Sequence, residues 1–261
     1  MKKLTGFLAV GLLLVGLHVK AEGDELTDVL NDIQNKIKNL KSYQAKIEMV
    51  FLQTDRGIME LNGEIKFVRP DKLRMEIGVK GEDRTKQYMY SDGLTMWQYM
   101  PFFKLASKVD LAALKKEFPE AKGLVEDQSK VESPVADVQK ENIKYLGIED
   151  LSGEQTYVFE GKLNEERKEN MDLPQDVSQV KIWVGVNDGL QRKAEYYDSD
   201  GNLVFYQVLK DVKVNIDIPD SEFTFEQPEG INVVDSTNQA RQILEEQQNK
   251  TEGNTEQNTG E

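Results

Sequence analysis

"GEIKFVRPDKLRMEI", residues 63–77, carries one apolar side chain at every second position. Ile65 and Phe67 fall on one side, then Leu73, Met75 and Ile77, while Glu64, Lys66, Arg74 and Glu76 fall on the other. That alternation marks strands with one face turned to a core. Arg69, just before Pro70, stands in the apolar row. A guanidinium there needs either hydrogen-bond acceptors or a path by which its stem lets the charge reach water.

The same period extends on both sides. "YQAKIEMVFLQ" places Tyr43, Ala45, Ile47, Met49 and Phe51 in one row. "TKQYMYSDGLTMWQYM" is two strands joined at Asp92-Gly93, a strong hairpin signal. Ahead of the strands, "DELTDVLNDIQNKIKNLKS" spaces Leu26, Val29, Leu30, Ile33, Ile37 and Leu40 as one stripe of a helix, with Asp24 as its cap. The middle, Leu105 to Lys140, differs: "VDLAALKKEF" and "PEAKGLVEDQSKV" are expected to be short helices. Strands resume with "NIKYLGIEDL" and "EQTYVFEGKL". After a polar loop, "NEERKENMDLPQD", three more strands follow, turning at Asn187-Asp188-Gly189 and across Asp198 to Asn202. "DSEFTFEQPEGINVVD" is expected as a closing strand and turn.

This order predicts an α+β fold. About ten antiparallel strands cannot lie flat, so the sheet must curl, and its concave face must be filled or lidded. Met49, Phe51, Met75, Met89, Met96 and Trp97 supply soft side chains to the rows, suited to a variable apolar partner and equally to a plain core.

The N-terminus is a different kind of segment. Two lysines precede an apolar run from Leu4 to Leu17, and Val19-Lys20-Ala21 closes it, the pattern of an export signal cleaved after Ala21. The expected organisation is a signal over 1–21, a domain over 22–235 and a polar, disordered tail over 236–261. The chain has no cysteine, and its one histidine, His18, lies in the signal. Ser-His-Asp and Cys-His nucleophiles and most zinc sites are thereby excluded from the mature part. A carboxylate pair for glycoside hydrolysis is the surviving enzyme reading, and no signature supports it. A net charge of −14 argues against nucleic acid and anionic surfaces.

Taken in order, the leading helix ending in "LKSYQAKIEMVFLQ", the Arg-Pro strand, "YSDGLTMWQYMP", "KIWVGVNDGLQRKAEYYDSDGNLV" and "IPDSEFTFEQPEGINVVD" resemble the LolA family of periplasmic lipoprotein carriers, over nearly all of the mature chain to Asp235. The resemblance implies an incomplete, strongly curved antiparallel β-barrel, lidded by the N-terminal helix and the short helical insert over an apolar cavity. It implies no cofactor, no metal and no catalysis. The implied cargo is acylated lipoproteins, passed by a monomer from an inner-membrane lipoprotein-releasing transporter toward an outer-membrane acceptor. A lipid- or lipoprotein-sensing regulator of envelope stress on the same fold is the other reading. The cavity is expected to be lined by Ile37 on the helix and by Ile47, Met49, Phe51, Ile65, Phe67, Leu73, Met75 and Ile77. Arg69 is implied to latch the lid through backbone carbonyls, for which its fork of donors is suited. If the row borders a hollow, Leu73→Glu is expected to spare folding and stop cargo uptake or release.

Overall fold

The computed structural model describes residues 22–54, 57–119, 134–165, 168 and 176–245. The expected export signal, the expected second insert helix, most of the loop after Leu163 and the chain beyond 245 lie outside the described residues.

Helix α1 (Glu22–Asn39) leads into a meander of six strands: β1 (Ser42–Thr54), β2 (Gly57–Val68), β3 (Lys72–Val79), β4 (Gln87–Asp92), β5 (Thr95–Met100) and β6 (Leu105–Asp110). Helix α2 (Leu111–Glu117) follows. A second meander comprises β7 (Lys144–Leu151), β8 (Glu154–Lys162), β9 (Val177–Gly185), β10 (Gln191–Asp198) and β11 (Leu203–Val214), and β12 (Asn232–Asp235) closes the set. All twelve strands form one curved, unclosed sheet in the order β12-β6-β5-β4-β3-β2-β1-β11-β10-β9-β8-β7. β1 is the seam: it pairs with β2 on one side and β11 on the other, so each meander grows outward from it. The α+β fold with a strongly curved, incomplete barrel of antiparallel strands is the one expected, with β12 alone running parallel, beside β6.

The β2–β3 pair includes one close backbone approach. Gly63, the first residue of the decisive stretch, faces Ile77 across β2–β3, and a Cβ there would sit 1.8 Å from the Glu76 carbonyl oxygen. Only glycine lets the two backbones approach so closely.

Four expectations need correcting. Val109 and Asp110, expected to open a helix, end the strand Leu105–Asp110 instead, because β5 offers it a full antiparallel ladder, Met100↔Leu105 to Thr95↔Asp110. The helix starts only where Asp110 caps it, its Oδ1 accepting the Ala113 amide at 2.8 Å. Trp97 faces away from the apolar row: it packs on Phe225 at 4.9 Å, on the convex side. There the segment after β11 crosses the sheet, with Glu222 bonding Lys66 at 2.9 Å and also reaching Arg74. The expected closing strand is thus an extended strap followed by the short β12. The α1 start differs too: the helix begins at Glu22, which places Asp24 in its first turn and not ahead of it.

The stretch expected as a disordered tail over 236–261 begins with ordered residues. Residues 237–245 form a helix, α3, whose Leu244 is buried against Leu114 and Phe118 of the α2 region. Arg241 grips Glu117 with two bonds of 2.5 and 3.1 Å. Asp235 accepts the Thr237 amide at 3.0 Å, and its carboxyl is pulled down to about 2 by Thr237 and then Lys108. Ending the chain at Asp235 removes the Leu244 contact, worth about 2 kcal/mol, and is expected to lower the melting temperature by roughly 4–8 °C for a domain of this size. A thermal melt of the two chains checks it; equal midpoints would mean that α3 adds nothing.

Candidate functional site

The concave face is filled at one end and half-open at the other. Cross-strand register places Tyr43, Phe67, Leu73 and Ser91 in one rank across β1 to β4. All four are buried, Phe67, Leu73 and Ser91 completely (0 % exposed). The next rank, Ala45 and Ile65, is buried as well, but it ends in Met75 and Met89, which are only partly covered. Further along, Met49, Phe51, Met59, Leu61 and Ile77 are all half-buried. Each of these strands therefore loses cover in the same direction, away from Arg69. Of the eight methionines, Met49, Met59, Met75, Met89, Met96 and Met100 occupy inward register positions on β1 to β5.

The cover at the closed end is α1. Ile33, Ile37 and Leu40 are buried, whereas Leu26, Val29 and Leu30, toward the helix start, are only partly so. Gly189, at φ +78°, lets the β9–β10 turn come up under the helix: a Cβ there would lie 3.0 Å from the Ile33 carbonyl oxygen. That turn is braced by Arg192, buried at 5 % exposure, which donates to Glu154 at 2.8 and 2.6 Å and to Asp188 at 2.6 Å. Burial alone would lower its pKa; the two carboxylates outweigh that and raise it. Polar contacts hold the middle of the helix. Tyr157 on β8 donates to Asp32 at 2.8 Å, and Lys36 reaches both Asp32 and the Val186 carbonyl. Burial pushes the Tyr157 hydroxyl up, with Asp32 adding to it, to about 12. Burial works to raise the Asp32 carboxyl, but the bonds from Lys36 and Tyr157 prevail and hold it below its ordinary value.

Arg69 sits at the end of the helix. Its Nε donates to the Leu40 carbonyl at 2.9 Å and its Nη2 to the Ile37 carbonyl at 3.3 Å, while its backbone N–H donates to Lys41 at 2.9 Å. The Arg69–Pro70 peptide bond is cis. The last carbonyls of a helix lack intrahelical donors and carry its negative dipole end. A cation with several donors satisfies both needs, which is why an arginine can occupy the apolar row.

The expected cavity residues thus share one face without sharing one environment. Ile37, Ile65, Phe67 and Leu73 are packed at the closed end, and Ile47 is buried beside them at 9 % exposure. Met49, Phe51, Met75 and Ile77 lie on the half-open part. Sequence reasoning did not single out Tyr157, Arg192 or the rim residues at the open end. Asp32 and Lys36 were findable from their i, i+4 spacing, and Phe102-Phe103 from an apolar pair after a proline in a turn. Among the described residues, no group of three or more carboxylates or histidines is placed to hold a metal ion.

Against known proteins, residues 27–236 match the family described as "Predicted periplasmic protein (DUF2092)". The chain belongs to the DUF2092 family. This DUF2092 chain is also 25% identical over 238 residues to an uncharacterized protein of Methanocaldococcus jannaschii, an alignment covering 88% of the chain and 59% of that protein. It therefore spans about three-fifths of the curated relative it matches. Among solved structures, it is similar to an uncharacterized conserved protein from Thermus thermophilus, with a TM-score of 0.52 at 9% identity, over 81% of this chain and 99% of the other. That likeness shows the fold. A LolA superfamily protein from Nitrosomonas europaea is also similar, at 15% identity over 76% of this chain and 98% of the other; its TM-score of 0.31 adds no argument about function.

Proposed function

We propose that this DUF2092 protein is a periplasmic carrier that holds the acyl chains of lipoproteins on its half-open concave face and moves them from the inner membrane toward the outer membrane. The observation that supports the reading is the graded burial of the concave rows, which leaves a strip of methionine and phenylalanine side chains only partly covered. Such side chains adapt to an alkyl chain without a fixed shape. Met49, Phe51, Met75 and Ile77 make the first contacts with cargo. Ile37, Ile47, Ile65, Phe67 and Leu73 form the wall behind them, joining the cavity only when α1 lifts. Arg69 latches α1 through its end carbonyls, and cargo entry competes with those bonds. The protein is exported by a signal cleaved after Ala21. It acts as a monomer, by binding and without a cofactor, between a lipoprotein-releasing transporter and an outer-membrane acceptor.

Ten buried methylenes contribute roughly 8 kcal/mol, which only partly offsets removal from a bilayer. The free protein is therefore expected to leave a triacylated protein in liposomes, and to keep a triacylated peptide soluble when detergent presenting it is diluted away. Sedimentation reads both. If the diluted peptide pellets equally with and without the protein, the carrier reading fails; efficient extraction from liposomes without a transporter would replace the relay by a lipid scavenger.

A further inference from the structure

At the open end of the concave face, the β3–β4 and β5–β6 connections enclose a cleft of about 320 Å³ lined by Arg84, Thr85, Lys86, Met100, Phe102 and Phe103. Gln87 and Met100 occupy inward register positions, Gln87 opposite Ile77 and Met100 on the same row as Met96. The cleft is therefore continuous with the half-open apolar strip. Its wall is apolar on one side: Phe102 and Phe103 are 61 % and 69 % exposed and stand edge to face at 5.3 Å. Two adjacent phenylalanines left in water on a short turn are a cost that a partner with an alkyl surface relieves.

The other wall is cationic, and its two charges differ. Lys86 is already held by Glu76 at 2.9 Å and Asp83 at 3.3 Å. Among the described residues Arg84 has a single side-chain contact, from Nη2 to Glu82, long at 3.4 Å, and its side chain is 71 % exposed. Most of its five donors face solvent at the mouth of the cleft. Lys104, on the β5–β6 turn, has no ion-pair partner among the described residues. An anionic group at Arg84 gains a charge-assisted bond that Glu82 supplies only weakly.

We infer that this cleft receives the anionic head of an amphiphile, a carboxylate or phosphate on an alkyl chain, with the head at Arg84 and the chain crossing Phe102, Phe103 and Met100 into the concave strip. The inference rests on the acyl-binding reading and deepens it: the cargo carries a negative head beside its chain. The volume is at the small end for a ligand pocket, so the cleft holds the head and first methylenes, and the strip holds the rest. The acidic surface elsewhere disfavours a bilayer of the same charge without disfavouring one molecule at one arginine.

The test titrates the mature full chain with lysophosphatidylglycerol and, separately, lysophosphatidylcholine, both below their micelle concentrations, at low salt. The anionic lipid is expected to bind at least about tenfold more tightly. Arg84→Gln should erase that preference by weakening the anionic lipid far more than the zwitterionic one, and added salt should narrow it. Phe102→Ser with Phe103→Ser should weaken both lipids alike; all three side chains are exposed, so the melting temperature should hold. Equal affinities, or a preference that survives Arg84→Gln, would overturn the inference. Arg84-dependent sedimentation with anionic vesicles but no monomer binding would also overturn it, making the rim a bilayer-docking surface. Lysolipid binding with head preference, but no retention of the triacylated peptide, upholds the cleft and removes the lipoprotein cargo. Retention of the peptide without head preference does the reverse.

Discussion

Leu73→Glu leaves no folded protein, while Met75→Glu, two residues along the same row, leaves a folded protein that no longer takes up an acyl chain. Leu73 has no exposed surface and pairs with Phe67 and Ser91, both equally buried. A carboxyl there loses its water and gains no partner. Carrying it costs several kcal/mol whether it stays charged or takes a proton, against a typical net stability of about 5–15 kcal/mol. Met75 packs against the same core but is only partly covered, and across β3–β4 it faces Met89, also partly covered. A glutamate there can turn its carboxylate to solvent, so the fold survives and the apolar strip is interrupted. Circular-dichroism melts separate the first variant from the second, and the detergent-dilution assay separates the second from wild type. A stable Leu73→Glu protein would mean that water already reaches the closed end; a Met75→Glu protein that still retains acyl peptide would move the cargo off this face.

Arg69→Leu keeps an apolar stem and removes the donors to Ile37 and Leu40. Each bond from a charged donor contributes about 1.5–3 kcal/mol. Losing two frees the end of α1 by an amount comparable to a large part of total stability, although the partial exposure of Arg69 reduces it. Amide exchange around the α1–β1 junction should rise by one to two orders of magnitude, roughly the factor that about 2 kcal/mol sets. Acyl peptide should load faster and pass on poorly, because the re-formed bonds no longer help expel it. Faster exchange with unchanged loading and transfer would make Arg69 a helix cap and nothing more.

Whether a residue of the apolar row is packed core or half-covered strip turns on depth, which alternation in a strand does not encode. The period-two rows named the faces correctly: Tyr43, Phe67 and Leu73 do lie in rank, and the Asp92-Gly93 hairpin forms between β4 and β5. The period of α1 was legible because its stripe recurs over several turns. Leu105–Asp110 was not legible as a strand, since six residues carry too little pattern and only β5 beside them decides. Trp97 fell to the wrong face because the soft residues were grouped by type; its register with Tyr90 sets it on the convex side. A short helix within "STNQARQILEEQQNK" was legible, but its docking was not, because one leucine in a polar stretch has no visible partner until α2 is brought to it.

What the amino-acid order determined by itself is local or additive: a leading amphipathic helix, two meanders of half-apolar strands, a sheet too large to stay flat, and no histidine or cysteine after His18. Backbone sterics and side-chain alternation suffice for these. What only the tertiary structure decided is which part of the apolar face is covered and which acceptors meet Arg69. The second depends on α1, and the first on α1 and the β9–β10 turn, segments far apart in sequence, meeting over the sheet, and burial is a property of such arrivals, not of the strand that is buried.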